Sequence, residues 1–506
     1  MIIDNIPVAI NGEKNLLELI RKAGIELPTF CYYSELSVYG ACRMCMVENK
    51  WGGMEAACST PPRNGMEIYT NTPRLRKYRK MILELLLSNH CGECTTCDKN
   101  GKCKLQELAA RFDIHRVRFD NPKSKPCIDD SSVSITRDAN KCILCGDCVR
   151  VCNEVQNVGA IDFAFRGSKM KVACSFDKPI GDSNCVGCGQ CAAVCPTGAI
   201  IIKNDSHRLW KELNQEDTIA VAQVAPAVRV AVAKEFGYNG ENVMGKIVAA
   251  LRRIGFNYIF DTSTAADLTV MEESKEFADR LANGGKLPLF TSCCPAWSVM
   301  AKKLFPTLAP YISMALTPMV LTARMLKKDD PDACIAFIGP CAAKKLEASR
   351  RTIRSDVDFV LTFEELMGMF NAKGVTFEDI TDEEKVDLCE GTGDGRGFAV
   401  SGGVAKAVAD VIHKLDPERE VKVVSAQGLK DCRKLLTLAK AGKYDGYLLE
   451  GMACPGGCVA GAGTLQAVEK STALVNKYVK DAPLQNSLDS KYEINLDLIT
   501  ESHDDK

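Results

Sequence analysis

Small α+β modules in the N-terminal part and a larger α/β domain in the C-terminal part are the fold class this sequence predicts, and three observations predict it. Residues 1 to about 75 alternate short apolar runs with turn signals such as Val8-Ala9-Ile10-Asn11-Gly12, which suits a small mixed sheet with a helix. Residues 138 to 203 contain the chain's internal repeat, a run of four cysteines that returns 43 residues later. From about residue 208 onward, strand-like and helix-like stretches alternate, as they do where helices link the strands of a parallel sheet. A length of 506 residues agrees with roughly three to four domains.

Composition narrows the function classes. With 64 Lys and Arg against 65 Asp and Glu and no long run of either sign, nothing favours nucleic acid or an anionic membrane as a partner. The 26 cysteines would suit a disulfide-rich secreted protein. Against that, Met1-Ile2-Ile3-Asp4-Asn5-Ile6-Pro7 has no basic n-region, no apolar core of signal-peptide length and no twin arginine. No apolar run is long enough to span a bilayer. A cytoplasmic, reducing setting is expected, and it leaves the thiols available as metal ligands.

The first module covers residues 1–76, with a helix expected over 15–23. Its Cys31, Cys42, Cys45 and Cys58 follow the spacing C-x10-C-x2-C-x12-C, close to the plant-type 2Fe-2S pattern apart from a wider first gap. Structural zinc more often takes two close CxxC-like pairs. A helix expected over 73–88 leads into the second module, residues 77–120, and delivers His90 ahead of Cys94, Cys97 and Cys103 in the spacing H-x3-C-x2-C-x5-C. Cys91, next to the histidine, could compete with it as a ligand.

Residues 121–207 hold the repeat: Cys142-x2-Cys145-x2-Cys148-x3-Cys152 returns as Cys185-x2-Cys188-x2-Cys191-x3-Cys195-Pro196. In bacterial two-cluster ferredoxins with this pattern, the fourth cysteine of each run ligates the other 4Fe-4S cube. One cube then takes Cys142, Cys145, Cys148 and Cys195, and the second takes Cys152, Cys185, Cys188 and Cys191. Pro196 ends the turn before a strand expected over 199–202.

In residues 208–480 strands are expected over 218–225, 258–261, 333–338, 357–361 and 446–449, and helices over 242–254 and 267–281. Cysteine motifs directly follow two of these strands, the usual place for α/β chemistry. Residues 481–506 are polar and expected to be loosely ordered.

Three cysteine motifs mark the α/β part: Thr291-Ser292-Cys293-Cys294-Pro295-Ala296-Trp297, Gly339-Pro340-Cys341-Ala342-Ala343-Lys344-Lys345, and Glu450-Gly451-Met452-Ala453-Cys454-Pro455-Gly456-Gly457-Cys458. Four thiolates from three segments can hold one 4Fe-4S cube. The adjacent Cys293 and Cys294 cannot both ligate it comfortably, which leaves one thiol free to handle protons. Glu273 and Glu276 stand three apart and share one helix face, a pair that read alone suits a solvated surface.

These motifs and their order resemble the iron-only hydrogenases that carry N-terminal ferredoxin-like modules. The first 200 or so residues also resemble the large subunit of respiratory complex I. The resemblance covers residues 1 to about 480 and implies a β-grasp 2Fe-2S domain, a 4Fe-4S domain held by His90, Cys94, Cys97 and Cys103, a two-cluster ferredoxin domain, and an α/β catalytic domain. It implies an enzyme that interconverts dihydrogen with two protons and two electrons.

The implied catalytic cofactor is an H-cluster: a 4Fe-4S cube on Cys294, Cys341, Cys454 and Cys458, bridged through Cys458 to a diiron subsite with carbonyl, cyanide and azadithiolate ligands. Maturation proteins would insert that subsite. Lys344 would donate to a cyanide, and Met452, Phe398, Pro226 and Gly339 would belong to the pocket. Protons would pass through Glu276, Ser313, Glu273, a water and Cys293. Electrons would run through one 2Fe-2S and three accessory 4Fe-4S clusters to or from a ferredoxin or a flavoprotein, since Gly393, Gly395 and Gly397 form no nucleotide fingerprint.

The chain departs from the better-known members at Gly339, where they have methionine, at Met319, where they have glutamine, at Ala227, where they have a serine near a cyanide, and over Ala460-Gly461-Ala462-Gly463-Thr464-Leu465. These changes bear on rate, bias and oxygen sensitivity and leave the expected ligands in place. Cys91, Cys127, Cys174, Cys334, Cys389 and Cys432 read as small buried or incidental thiols. A noncatalytic iron-sulfur scaffold, a redox or hydrogen sensor and a complex I-type subunit are the competing functions. Cys293, Glu273 and Glu276 favour the enzyme over the scaffold.

Overall fold

The computed structural model describes residues 1–120, 128–238, 243–350, 355–386, 388 and 391–491; Cys127 and Cys389 lie outside them. The chain forms two compact units, one of residues 1–155, 159–183 and 190–201, the other of 156–158, 184–189 and 202 onward.

In the first unit, five short strands build one mixed sheet in the order Ile6–Pro7, Ile2–Ile3, Glu67–Tyr69, Met46–Asn49, Met54–Ala56. The helix Leu16–Lys22 packs Leu16, Leu17, Leu19 and Ile20 into a core with Ile3, Val47 and Ile68. Asn15 caps it by accepting from the Glu18 amide at 3.0 Å. Helix Pro73–Ser88 has the expected limits, set by the Thr72 cap and proline in the first turn. The chain then forms helix Lys104–Arg111 and an antiparallel pair, Asp162–Ala164 with Lys171–Ala173. Between them, Asp147–Arg150 is α-helical and Val151–Val155 continues it as a π turn that carries Cys152.

The second unit carries two sheets among the described residues, and the strand pairings within them are parallel. One sheet has the order Tyr258–Asp261, Ala220–Val224, Cys334–Ile338, Phe359–Leu361. Its register pairs Val224 with Asp261 and with Ile338, and Ile338 with Leu361, so all four carboxyl ends finish along one edge. The second sheet has the order Leu289–Phe290, Tyr447–Met452, Lys422–Gln427, with Phe290 opposite Leu449 and Met452 opposite Gln427. The third motif therefore begins inside a strand, which runs three residues beyond the expected end at 449.

Two expectations are corrected. Helix Thr262–Ala282 starts five residues before the expected 267, because the Asp261 side chain accepts from the Ser263 amide and caps it there. The chain also stays packed past residue 480. The Gly393 amide donates to the Leu484 carbonyl at 2.8 Å, and Ser487 is fully buried, with its hydroxyl 3.0 Å from Asp267 Oδ1 and its amide 2.9 Å from Asp394 Oδ2. No helix among the described residues is long and apolar enough to cross a membrane.

Candidate active site and cluster-binding sites

Loops leaving the strand ends converge on one cavity of about 70 Å³. After Val224 come Ala225, Pro226 and Ala227; after Asp261 comes Thr262, with Ala266 one turn on; after Ile338 come Pro340, Cys341 and Lys344. The second sheet adds Cys293, Met452 and Cys458, while Phe398, Ala399, Pro318, Met319 and Phe337 close the walls. Crevices beyond strand carboxyl ends are where open α/β folds bind ligands.

The four expected cube ligands, Cys294, Cys341, Cys454 and Cys458, belong to one electrostatic neighbourhood. Burial raises the pKa of each, and the mutual proximity of these thiols raises it further at Cys341, Cys454 and Cys458. Bound iron would displace those protons, and its positive charge would offset the cost of burying neighbouring thiolates. The Ala453 amide donates to Cys294 Sγ at 3.4 Å, tying the third motif to the first. The Gly463 amide donates to the Pro340 carbonyl at 2.9 Å, tying the chain that follows the third motif to the second. Glu450 is fully buried and accepts from the Gly402 and Ala405 amides at 2.7 and 2.9 Å, so a carboxylate at the start of helix Gly403–Leu415 anchors the third motif's strand.

Lys344 lines the cavity, and its ammonium donates to Glu347 Oε2 at 2.6 Å and to Thr317 Oγ1 at 3.2 Å. The charge of Glu347 and nearby thiols hold the Lys344 pKa above its ordinary value despite burial. Gly339 is not among the lining residues. A Cβ there would lie 2.7 Å from Phe337 Cε1, so the missing side chain lets the Phe337 ring into that wall instead.

The groups expected to move protons are brought together. Ser313 donates to Glu276 Oε2 at 2.7 Å, and Arg280 pairs with the other oxygen of Glu276. Glu273 is fully buried. Its Oε1 accepts from the Ser292 amide at 3.1 Å, and its Oε2 has no partner among the described residues. Ser313 also stands near enough to Glu273 to lower its pKa, yet its one proton is directed at Glu276. Burial dominates and pushes Glu273 up to about 8. Burial, then the Glu273 charge, push the Cys293 thiol well above its ordinary value.

In the first unit, Cys31, Cys42, Cys45 and Cys58 are all buried. Hydrogen bonding pairs Cys31 with Cys42 and Cys45 with Cys58, raising the first and lowering the second of one pair and the reverse in the other. Arg79 donates to the carbonyls of Met44, Met46 and Thr70 and pins that loop. Cys142, Cys145, Cys148 and Cys195 line one small cavity. Cys152 and Cys191 lie in the first unit, and Cys185 and Cys188 in the second.

Cys94 feels Cys103, Cys97 and Cys91. The buried Nε2 of His90 has no partner among the described residues, while its Nδ1 accepts from the Gly92 amide at 3.0 Å. A neutral ring in that tautomer carries its proton on Nε2. Iron bound at Nε2 would require that proton to move to Nδ1 or leave.

Several site residues carry no sequence signal. Thr262, Ala266 and Phe337 enter the cavity because the register aligns the strand ends, and Pro318 enters from the start of helix Pro318–Asp329. Arg150 also escapes notice: it donates to the Cys31 carbonyl at 3.1 Å and pairs with the buried Asp147. Only its place between Cys148 and Cys152 could have hinted at this.

Comparison with known proteins accords with this layout. Residues 218–462 match the family described as iron only hydrogenase large subunit, C-terminal domain. Residues 1–73 match a 2Fe-2S iron-sulfur cluster binding domain, 79–118 the NADH-ubiquinone oxidoreductase-G iron-sulfur binding region, and 141–199 a 4Fe-4S dicluster domain. The NADP-reducing hydrogenase subunit HndD of Solidesulfovibrio fructosivorans is 34% identical over 98% of this chain and 94% of its own length. Iron hydrogenase 1 of Clostridium pasteurianum is 29% identical over 96% and 92%. The mitochondrial NADH-ubiquinone oxidoreductase 78 kDa subunit of Candida albicans is 32% identical over 43% of this chain and 31% of its own. With these modules in this order, and a hydrogenase subunit matching nearly end to end, the chain belongs to the iron-only hydrogenase family.

Proposed function

We propose that this chain is a hydrogenase that interconverts dihydrogen with two protons and two electrons at the cavity between its three cysteine motifs. One observation carries the reading: a single apolar cavity is lined by a thiol outside the four-cysteine set, Cys293, by two members of that set, Cys341 and Cys458, and by the ammonium-bearing Lys344. The residues fit an H-cluster. Cys294, Cys341, Cys454 and Cys458 would hold the cube, and Met452, Phe398 and Pro226 would pack around the diiron part. When bound, that group supplies the open iron site and basic amine at which dihydrogen is split or formed.

The chain's own part is to move protons, pass electrons and exclude water. Glu276 takes a proton at the outer end, Ser313 hands it inward when its hydroxyl turns from Glu276 to Glu273, and Cys293 delivers it to the cavity. A carboxyl held up to about 8 can both give and take a proton near neutral pH. Electrons would arrive by the two-cluster module. Gly189 (φ +74°) sits so close to Ala342 and Ala462 that a Cβ would lie 2.6 and 2.9 Å from theirs, and Lys303 donates to the Cys185 carbonyl at 2.8 Å. Cys188 is near enough to Cys454 to raise its pKa. The loop carrying Cys185 and Cys188 thus rests on the motifs that would hold the H-cluster.

Further out, Cys31, Cys42, Cys45 and Cys58 would hold the 2Fe-2S cluster, and His90, Cys94, Cys97 and Cys103 a 4Fe-4S cluster. The repeat would hold two more cubes, with Cys195 and Cys152 exchanged between the runs. A ferredoxin or a flavoprotein partner would exchange electrons with this chain; the name of the Solidesulfovibrio relative, a subunit of an NADP-reducing enzyme, favours a flavoprotein. Dedicated maturation proteins would deliver the diiron group, and a reducing compartment such as the cytoplasm would keep the thiols available. Anaerobic maturation of the chain followed by an assay of hydrogen evolution from a reduced dye tests the reading. Steady evolution is expected, and its absence from fully loaded protein would leave the scaffold.

A further inference from the structure

Apart from the cysteine thiols, two polar side chains line the cavity, Thr262 and Lys344. Lys344 already donates to Glu347 and Thr317. Thr262 is 4% exposed, and its hydroxyl has no hydrogen-bond partner among the described residues. Buried hydroxyls are nearly always satisfied, so an orphan on a residue in the wall of a ligand-sized space points to what fills that space. The neighbouring positions cannot supply the donor: Ala227 and Met319 present only apolar side chains to the same cavity. Thr262 is also held firmly. It opens the helix capped by Asp261 and follows the strand in register with the cavity-forming loops.

We infer that the Thr262 hydroxyl donates a hydrogen bond to an electron-rich acceptor of the group bound in this cavity, a cyanide nitrogen or a thiolate sulfur of the diiron unit. The inference rests on the hydrogenase reading. In this chain Thr262 is then the polar contact on the wall where Ala227 and Met319 offer none. A donor at any of those acceptors withdraws electron density from iron, which weakens back-donation and raises the carbonyl and cyanide stretching frequencies.

Infrared spectra of matured wild type, Thr262→Val, Thr262→Ala and Thr262→Ser test this without reference to turnover. The valine and alanine variants should move at least one carbonyl or cyanide band to lower frequency by more than its own width, and the serine variant should return it. Unchanged bands in valine or alanine, or a shift that serine does not reverse, would overturn the inference. Loss of all such bands from the wild type would instead overturn the hydrogenase reading, and the inference with it.

Discussion

At Glu273 the free energy of folding and the chemistry of the site meet in one carboxyl. Burial raises its pKa from an ordinary 4.5 to about 8, so the folded state binds its proton more tightly than the unfolded chain does. Such a group supports folding fully below about pH 4.5, and that support is lost as pH rises through about 8. Glu273→Gln keeps the neutral form at every pH. The melting temperature of E273Q relative to wild type should therefore climb between about pH 5 and about pH 9, and a pH-independent difference would show that Glu273 is already ionised in the fold. Gly339 raises the opposite question, of space. A Cβ 2.7 Å from the Phe337 ring should make Gly339→Ala destabilising by about 1–3 kcal/mol. That cost should shrink when Phe337 is shortened to Leu, and a double-mutant cycle by denaturant unfolding measures the coupling.

Elements are held to the sites by buried charge. In the first unit the Arg150 guanidinium, on the helix between Cys148 and Cys152, reaches the Cys31 and Ser37 carbonyls and pairs with Asp147. Arg150→Met leaves that carboxylate buried alone and should cost about 3–5 kcal/mol, read as a lower urea midpoint for loss of the visible absorbance expected from the 2Fe-2S site. An unchanged midpoint would mean that the pair contributes nothing to holding the loop.

Elements also show what the sequence made legible. Helix Pro73–Ser88 was readable at both ends because its cap and its proline are local signals. The start of Thr262–Ala282 was not, because Thr262-Ser263-Thr264-Ala265-Ala266 lacks the apolar period that marked the rest of the helix. The packing of 484–487 escaped for a related reason: a polar segment reads as solvated until Asp267 is seen to need the Ser487 hydroxyl.

Across the whole molecule, the cysteine spacing announced the cluster-binding modules, and the alternation of strands and helices announced the parallel sheets. Neither could show which side chains close the cavity, since Thr262 and Phe337 meet through strand register and Pro318 joins them from the start of a helix. Within the second unit, Glu276, Ser313 and Glu273 would carry protons toward Cys293, and the loop of Cys185 and Cys188, close to Cys454, would carry electrons. The central claim is that these two routes end at one cavity, with Cys293 passing the proton. Hydrogen evolution by matured Cys293→Ala, with its carbonyl and cyanide bands recorded on the same sample, tests it most directly. The bands should remain while turnover falls on the order of 10²–10⁴-fold, whereas a variant that keeps its bands and most of its turnover would contradict the claim.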